Sequence, residues 1–328
     1  MAFVLHVRLA RDVVPPPEQI REQLAELLRL TVRLDEDSGR ASTPRTSSVS
    51  PWPQPQTGFF VPGASTRGAD VAWRPEGDRL EALVTLPVLG TWTDWELGIR
   101  LAGLLGDCGD DGVRVPGEGQ HLAAGLAQEF LATEDRYLTE CVAGAERMRR
   151  SIEGDGKLVR VGGPGGFAVI GPRTWATVVE GPDEELPLRL VDTIQRSIDA
   201  EGFEEFHPAN PLWLDGRSGR EIIAALLPPE LSTLLRDPEY VLLSPDLEAD
   251  GAELVLLPFE RIEDAFPGLV RWLDDRCCAI PAIPRASWPT YLERSAPWLT
   301  TAAELLDGGD GYTDNETVAP ARPWWKLW

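Results

Sequence analysis

Near the middle of the chain, residues 157–179 read K-L-V-R-V-G-G-P-G-G-F-A-V-I-G-P-R-T-W-A-T-V-V. Two short apolar runs meet at a G-G-P-G-G hinge, where the backbone is free to reverse and a helix is not free to continue. The segment looks like a phosphate loop but lacks its working parts. A nucleotide-binding G-x-x-x-x-G-K-[ST] needs a lysine and a hydroxyl after the glycines, on a loop that opens a helix. Here Lys157 precedes the glycines, and a second strand, F-A-V-I, follows them. The expectation is a hairpin whose turn is permitted by Gly162, Gly163, Gly165 and Gly166, with no cofactor. The next residues, G-P-R-T-W, open a helix at Pro172, where Arg173 either meets an anion or stands exposed beside a capped helix start.

The pattern on either side of this hinge predicts an α+β protein of two lobes, each a largely antiparallel sheet packed with helices, followed by a flexible C-terminal tail. Residues 1–152 form the first lobe, with a mobile loop at 35–57 anchored by Trp52. Residues 153–305 form the second, and 306–328 an acidic linker and tryptophan-rich tail. Phe3, Leu5, Val7 and Leu9 alternate with Val4, His6 and Arg8, the period of a half-buried strand. Pro15, Pro16 and Pro17 end that strand and open an amphipathic helix through Ile20, Leu24, Leu27 and Leu28. Three strands at 58–61, 70–73 and 79–87 suggest a meander, and Thr91 caps a well-buried helix carrying Trp92 and Trp95. Residues His121 to Ser151 read as one long helix with a stripe of Leu122, Leu126, Phe130, Leu131, Leu138 and Cys141. A helix is expected at Leu186–Ala200. Further strands are expected at 212–214, 221–227, 240–243, 253–257, 270–273 and 277–280, with short helices at 230–236, 260–266 and 290–294.

Charge narrows the partners. The chain carries a net charge of -22; residues 1–150 hold 16 Arg and no Lys against 22 acidic residues, and the remainder holds most of the acidity. Such a field opposes nucleic acid and anionic lipid and suits a basic protein partner. Lys157 and Lys326 are the only lysines, a bias that suggests a GC-rich bacterial source. The first residues lack a basic segment before their apolar run, and no apolar stretch approaches the ~20 residues of a membrane helix. A cytoplasmic protein without an integral membrane segment is expected.

Catalytic constellations are thin. His6, His121 and His207 are far apart and form no HxxxH or HExxH pair, so no metal site is expected. The four cysteines include the adjacent pair Cys277 and Cys278 and no CxxC. A hydrolase built from Cys277 or Cys278 with His207 and a carboxylate such as Asp274 or Asp275 is an alternative reading that no spacing selects. An acidic nucleic-acid mimic is another. The leading expectation is a non-catalytic adaptor or immunity-type protein, because Pro323, Trp324, Trp325, Lys326, Leu327 and Trp328 follow a polar linker, D-G-G-D-G-Y-T-D-N-E. Large aromatic side chains there need somewhere to bury, and a groove on another protein is the expected receptor. A membrane interface suits tryptophan and lysine too, but Arg322 and Lys326 are its only local positive charges, and the third alternative is docking back onto the protein's own surface.

Overall fold

The computed structural model describes residues 2–10, 13–35, 56–109, 111–116, 121–164, 166–200, 202–215, 221–243 and 254–307. Its first elements are β1 (Ala2–Ala10), α1 (Pro17–Leu28), β2 (Arg33–Asp35), β3 (Gln56–Phe60), β4 (Ala69–Glu76), β5 (Arg79–Pro87), α2 (Trp92–Asp107), β6 (Val113–Arg114) and β7 (His121–Leu122). There follow α3 (Ala124–Leu131), α4 (Glu134–Arg149), β8 (Val159–Gly163), β9 (Gly166–Ile170), α5 (Pro172–Val178) and α6 (Leu186–Asp199). The chain continues through β10 (His207–Pro208), β11 (Pro211–Asp215), β12 (Glu221–Leu226), β13 (Thr233–Arg236), β14 (Tyr240–Leu242) and β15 (Val255–Pro258). It closes with α7 (Ile262–Ala265), β16 (Arg271–Trp272), β17 (Cys277–Ile280), α8 (Trp288–Ser295), β18 (Thr300–Thr301) and α9 (Ala302–Asp307). The fold is α+β with mostly antiparallel sheets.

Two compact units share the chain. The first comprises Met1–Glu205 and Arg271–Ala279, and the second Phe206–Val270 and Ile280–Trp328. The boundary therefore lies after residue 205, where the apolar periodicity had suggested residue 152, because α6 packs on β9 and α4.

The first unit is built on a seven-stranded sheet of order β2-β3-β4-β5-β1-β6-β7. The alternation in β1 sets its faces: Phe3, Leu5, Val7 and Leu9 are buried, and their β5 partners Leu86, Val84, Ala82 and Leu80 lie beside them. α2 covers that face. Thr91 starts α2 as expected, its hydroxyl accepting from the Asp94 amide at 3.3 Å and donating to the Ala64 carbonyl at 2.9 Å. α1 and α3 pack against α2, which explains its apolar residues on more than one side; Trp95 is fully buried and donates Nε1–H to the Leu131 carbonyl at 3.0 Å.

The expected single helix from His121 to Ser151 is two. α3 stops at Leu131, and Thr133 starts α4, its hydroxyl accepting from the Arg136 amide at 3.3 Å above an acidic first turn of Glu134 and Asp135. The cap competes with helix continuation, and the proposed stripe is broken: Leu131 and Cys141 are buried, Leu126 and Phe130 exposed.

The central hairpin is present, with Val159 opposite Ile170 and Gly163 opposite Gly166. Gly166 has φ +138°, a region that favours glycine. At Gly163 a Cβ would overlap the Thr66 carbonyl oxygen, so the bare backbone is needed for the hairpin to lie against the loop before β4. Gly165 lies outside the described residues.

In the second unit, the sheet order is β11-β12-β14-β15-β18, antiparallel except for β12 with β14. Its core is Ile222, Ala224, Leu242 and Leu256, with Leu212, Leu214, Leu305 and Leu306 against it. The helix expected at 230–236 is instead a turn leading into β13. Glu230 adopts φ +63°, which stops a helix, and Thr233, Leu234 and Leu235 are all buried.

Candidate functional site

Asp94 is the most fully enclosed carboxylate of the first unit, and its neighbours explain why. As the fourth residue after the Gly90 turn it accepts the Thr91 amide at 2.9 Å, closing the capping box of α2. It also accepts the amides of Thr66 and Arg67, both at 3.1 Å, and Gly68, at 2.8 Å. Successive amides converging on one point make an anion cradle, and here the anion is the protein's own side chain. Burial raises the Asp94 carboxyl pKa, and the amides of Arg67, Thr91 and Gly68 only partly offset it. The Arg67 guanidinium, its pKa lowered by burial, continues the network to the carbonyls of Gly162 at 3.3 Å and Val88 at 3.1 Å.

A pair of adjacent carboxylates, Asp274 and Asp275, anchors the segment after the central hairpin. Asp275 accepts from the amides of Gly171 at 2.7 Å, Arg173 at 3.0 Å and Thr174 at 2.9 Å, filling the start of α5. Of the two alternatives at Arg173, the structure has the capped helix start with an exposed arginine, whose guanidinium stacks on Trp272, 3.7 Å from the ring centroid. Asp274 accepts the Val169 amide at 3.0 Å and the Arg276 amide at 2.8 Å. It is 2% exposed, and burial pushes its pKa up to about 6. Asp275 caps the start of α5, and Asp274 ties β9 to its own turn. Asp275→Ala is expected to lower stability by about 2 kcal/mol, as three amides lose their acceptor; urea unfolding of the full chain followed by circular dichroism measures it.

The other residues singled out by type are dispersed. His6 bonds Glu81 Oε1 at 2.8 Å on the sheet face turned away from α2, and Arg74 pairs with the same carboxylate. Burial tends to raise the Glu81 pKa, but the hydrogen bonds from His6 and Arg74 outweigh it and lower it. His121 is partly exposed and lies 3.1 Å from the Asp111 carbonyl. His207 is exposed in the second unit, while Cys277 and Cys278 are 3% and 0% exposed in the first. Neither thiol is presented to solvent as a nucleophile. Among the described residues no group of three or more His, Cys, Asp or Glu is arranged to hold a metal ion, and no helix is long and apolar enough to cross a membrane.

The tail residues Pro323, Trp324, Trp325, Lys326, Leu327 and Trp328 lie outside the described residues. One surface feature escaped the sequence reading. Trp213, at the centre of β11, is 58% exposed, although Leu212 and Leu214 on either side of it turn to the core. The alternation L-W-L marks a strand, but nothing local marks that strand as the outermost one. The fold is α+β, its enclosed aspartates Asp94, Asp274 and Asp275 accept from backbone amides, and its exposed apolar groups include aromatic side chains. No family model, curated protein or solved structure matches the chain.

Proposed function

We propose that the protein acts by binding another protein in the bacterial cytoplasm, as an adaptor or immunity-type inhibitor, with residues 323–328 as its docking peptide. The observation that carries this reading is P-W-W-K-L-W placed after the polar run D-G-G-D-G-Y-T-D-N-E. Tryptophan is the side chain most enriched at binding hot spots, and a peptide on a long polar tether engages its receptor at high effective concentration. The net charge of -22 favours a basic receptor and speeds encounter with it. The enclosed carboxylates Asp94, Asp274 and Asp275 are committed to backbone amides, which leaves the acidic surface, and not a buried acid, as the electrostatic contribution to recognition.

The test compares affinity capture from the native host with the full chain and with a chain ending at Ala321. A partner held by the full chain, lost on truncation and displaced by a synthetic Arg322–Trp328 peptide is the expected result. Identical partner sets from the two chains would remove the docking role.

A further inference from the structure

β11 lies at the end of its sheet, and among the described residues no strand pairs with its outer side. Alternate residues of Pro211–Asp215 therefore direct their N–H and C=O groups away from β12. Such an edge is a template for another strand, and proteins normally blunt it with charge, a bulge or a cover. Here the central residue is an exposed tryptophan. Trp213 sits opposite Ile223 on one face of the sheet, with Glu221 on the same face, while Leu212 and Leu214 share the other face with Ile222 and Ala224.

The position of α9 indicates what covers this edge. α9 packs beside both β18 and β11, and Leu305 and Leu306 lie against the same core as Leu212 and Leu214. Its last residue, Asp307, is where the described chain stops. Residues 308–322 then separate this point from Pro323. A polar, glycine-containing tether of that length has a root-mean-square reach of roughly 20 Å. The aromatic segment is thus held at a high local concentration around β11 without any demand on its geometry.

The segment also has the chemistry of an added strand. Trp324, Lys326 and Trp328 alternate with Trp325 and Leu327, a period of two. Pro323 precedes them, at the one place in a strand where a missing N–H costs least. Laid along β11, one set extends the apolar face of Leu212 and Leu214. The other places two indoles around Trp213 and Lys326 on the face that carries Glu221.

We infer that residues 323–328 of the same chain pair with β11 as a sixth strand of the second-unit sheet, with Trp213 as their principal contact. The inference stands independently of the proposed partner; where both hold, partner and β11 compete for one peptide, and the edge serves as its resting place.

Hydrogen exchange read by mass spectrometry tests this on the full chain, the chain ending at Ala321 and full-length Trp213→Ser. Truncation removes only residues beyond the described fold, and Trp213 is mostly exposed, so each variant keeps the sheet. In the full chain the amides of residues 212–215 are expected to exchange about tenfold or more slowly than in the truncated chain. A synthetic Arg322–Trp328 peptide added to the truncated chain restores the protection, and Trp213→Ser reduces it. Equal exchange in the full and truncated chains overturns the inference. Full protection in Trp213→Ser overturns the role of that side chain, and protection that disappears on dilution assigns the edge to the tail of a second copy instead. A failed partner capture leaves all these readouts unchanged, so the two proposals fail separately.

Discussion

Asp94→Ala is expected to lower the stability of the protein by about 4 kcal/mol, because four backbone amides, those of Thr66 and Gly68 buried and those of Arg67 and Thr91 partly buried, lose their acceptor at once. A single unsatisfied buried donor costs roughly 1–3 kcal/mol, and part of the total is returned because the enclosed charge is removed with the side chain. The loss is a large share of the roughly 5–15 kcal/mol that holds a typical domain together. Asp94→Asn keeps one acceptor oxygen but turns an NH₂ toward amide donors, so it should recover about half of the loss. Glu96→Ala is the control on the same helix. Glu96 pairs with Arg100 at 3.3 Å on a partly exposed surface, and its removal should cost about 0.5 kcal/mol or less. Urea unfolding followed by circular dichroism gives all three values. An Asp94→Ala cost no larger than that of Glu96→Ala would show that the cradle is filled equally well by water.

Asp274 should make stability fall as pH rises from the acid side. Its carboxyl titrates near 6 in the folded protein against an ordinary value of 3.8, because burial disfavours the anion. Between those two values the folded state holds the proton that the unfolded state has released. Stability from this group is therefore complete below about pH 4, declines through pH 6, and is flat above. With a shift of about two units, the decline between pH 4 and pH 7 is about 2 kcal/mol. Other carboxylates titrate across the same range, so the informative quantity is the difference between wild type and Asp274→Asn, whose side chain stays neutral. That difference should move by about 2 kcal/mol in favour of Asn from pH 4 to pH 7. A difference independent of pH would mean that the Val169 and Arg276 amides hold the anion as well as water does.

What could be read from the residues was what depends on near neighbours. The alternation of Phe3, Leu5, Val7 and Leu9, the Thr91 cap, the hairpin around Gly163 and Gly166, and the helix at Pro172 are all local, and each is present. The errors came where two local signals competed. Thr133 followed by Glu134 and Asp135 is a helix start, but it sits inside a run of apolar residues at helical spacing, and the cap prevailed. Pro228 and Pro229 before a left-handed Glu230 similarly outweighed the apparent helix at 230–236. The roles of the acids were not legible, because the amides that they serve are distant in sequence. Gly171 lies 104 residues before Asp275, and no periodicity links them. The exposed Trp213 was hidden for a related reason: whether a strand is central or outermost is decided by strand order, not by its own five residues.

The way the chain divides between its units bears on how the protein is made. Residues 271–279 return to the first unit after the chain has entered the second, and they bring Asp274 and Asp275 with them. During synthesis the cradle around Asp94 has all its amides as soon as α2 has left the ribosome. The start of α5 and the end of β9 must wait about 100 residues for their acceptors, several seconds at ordinary translation speed. Until then the first unit emerges without its last clasp, so it is most exposed to proteases and chaperones while the second unit is still being translated.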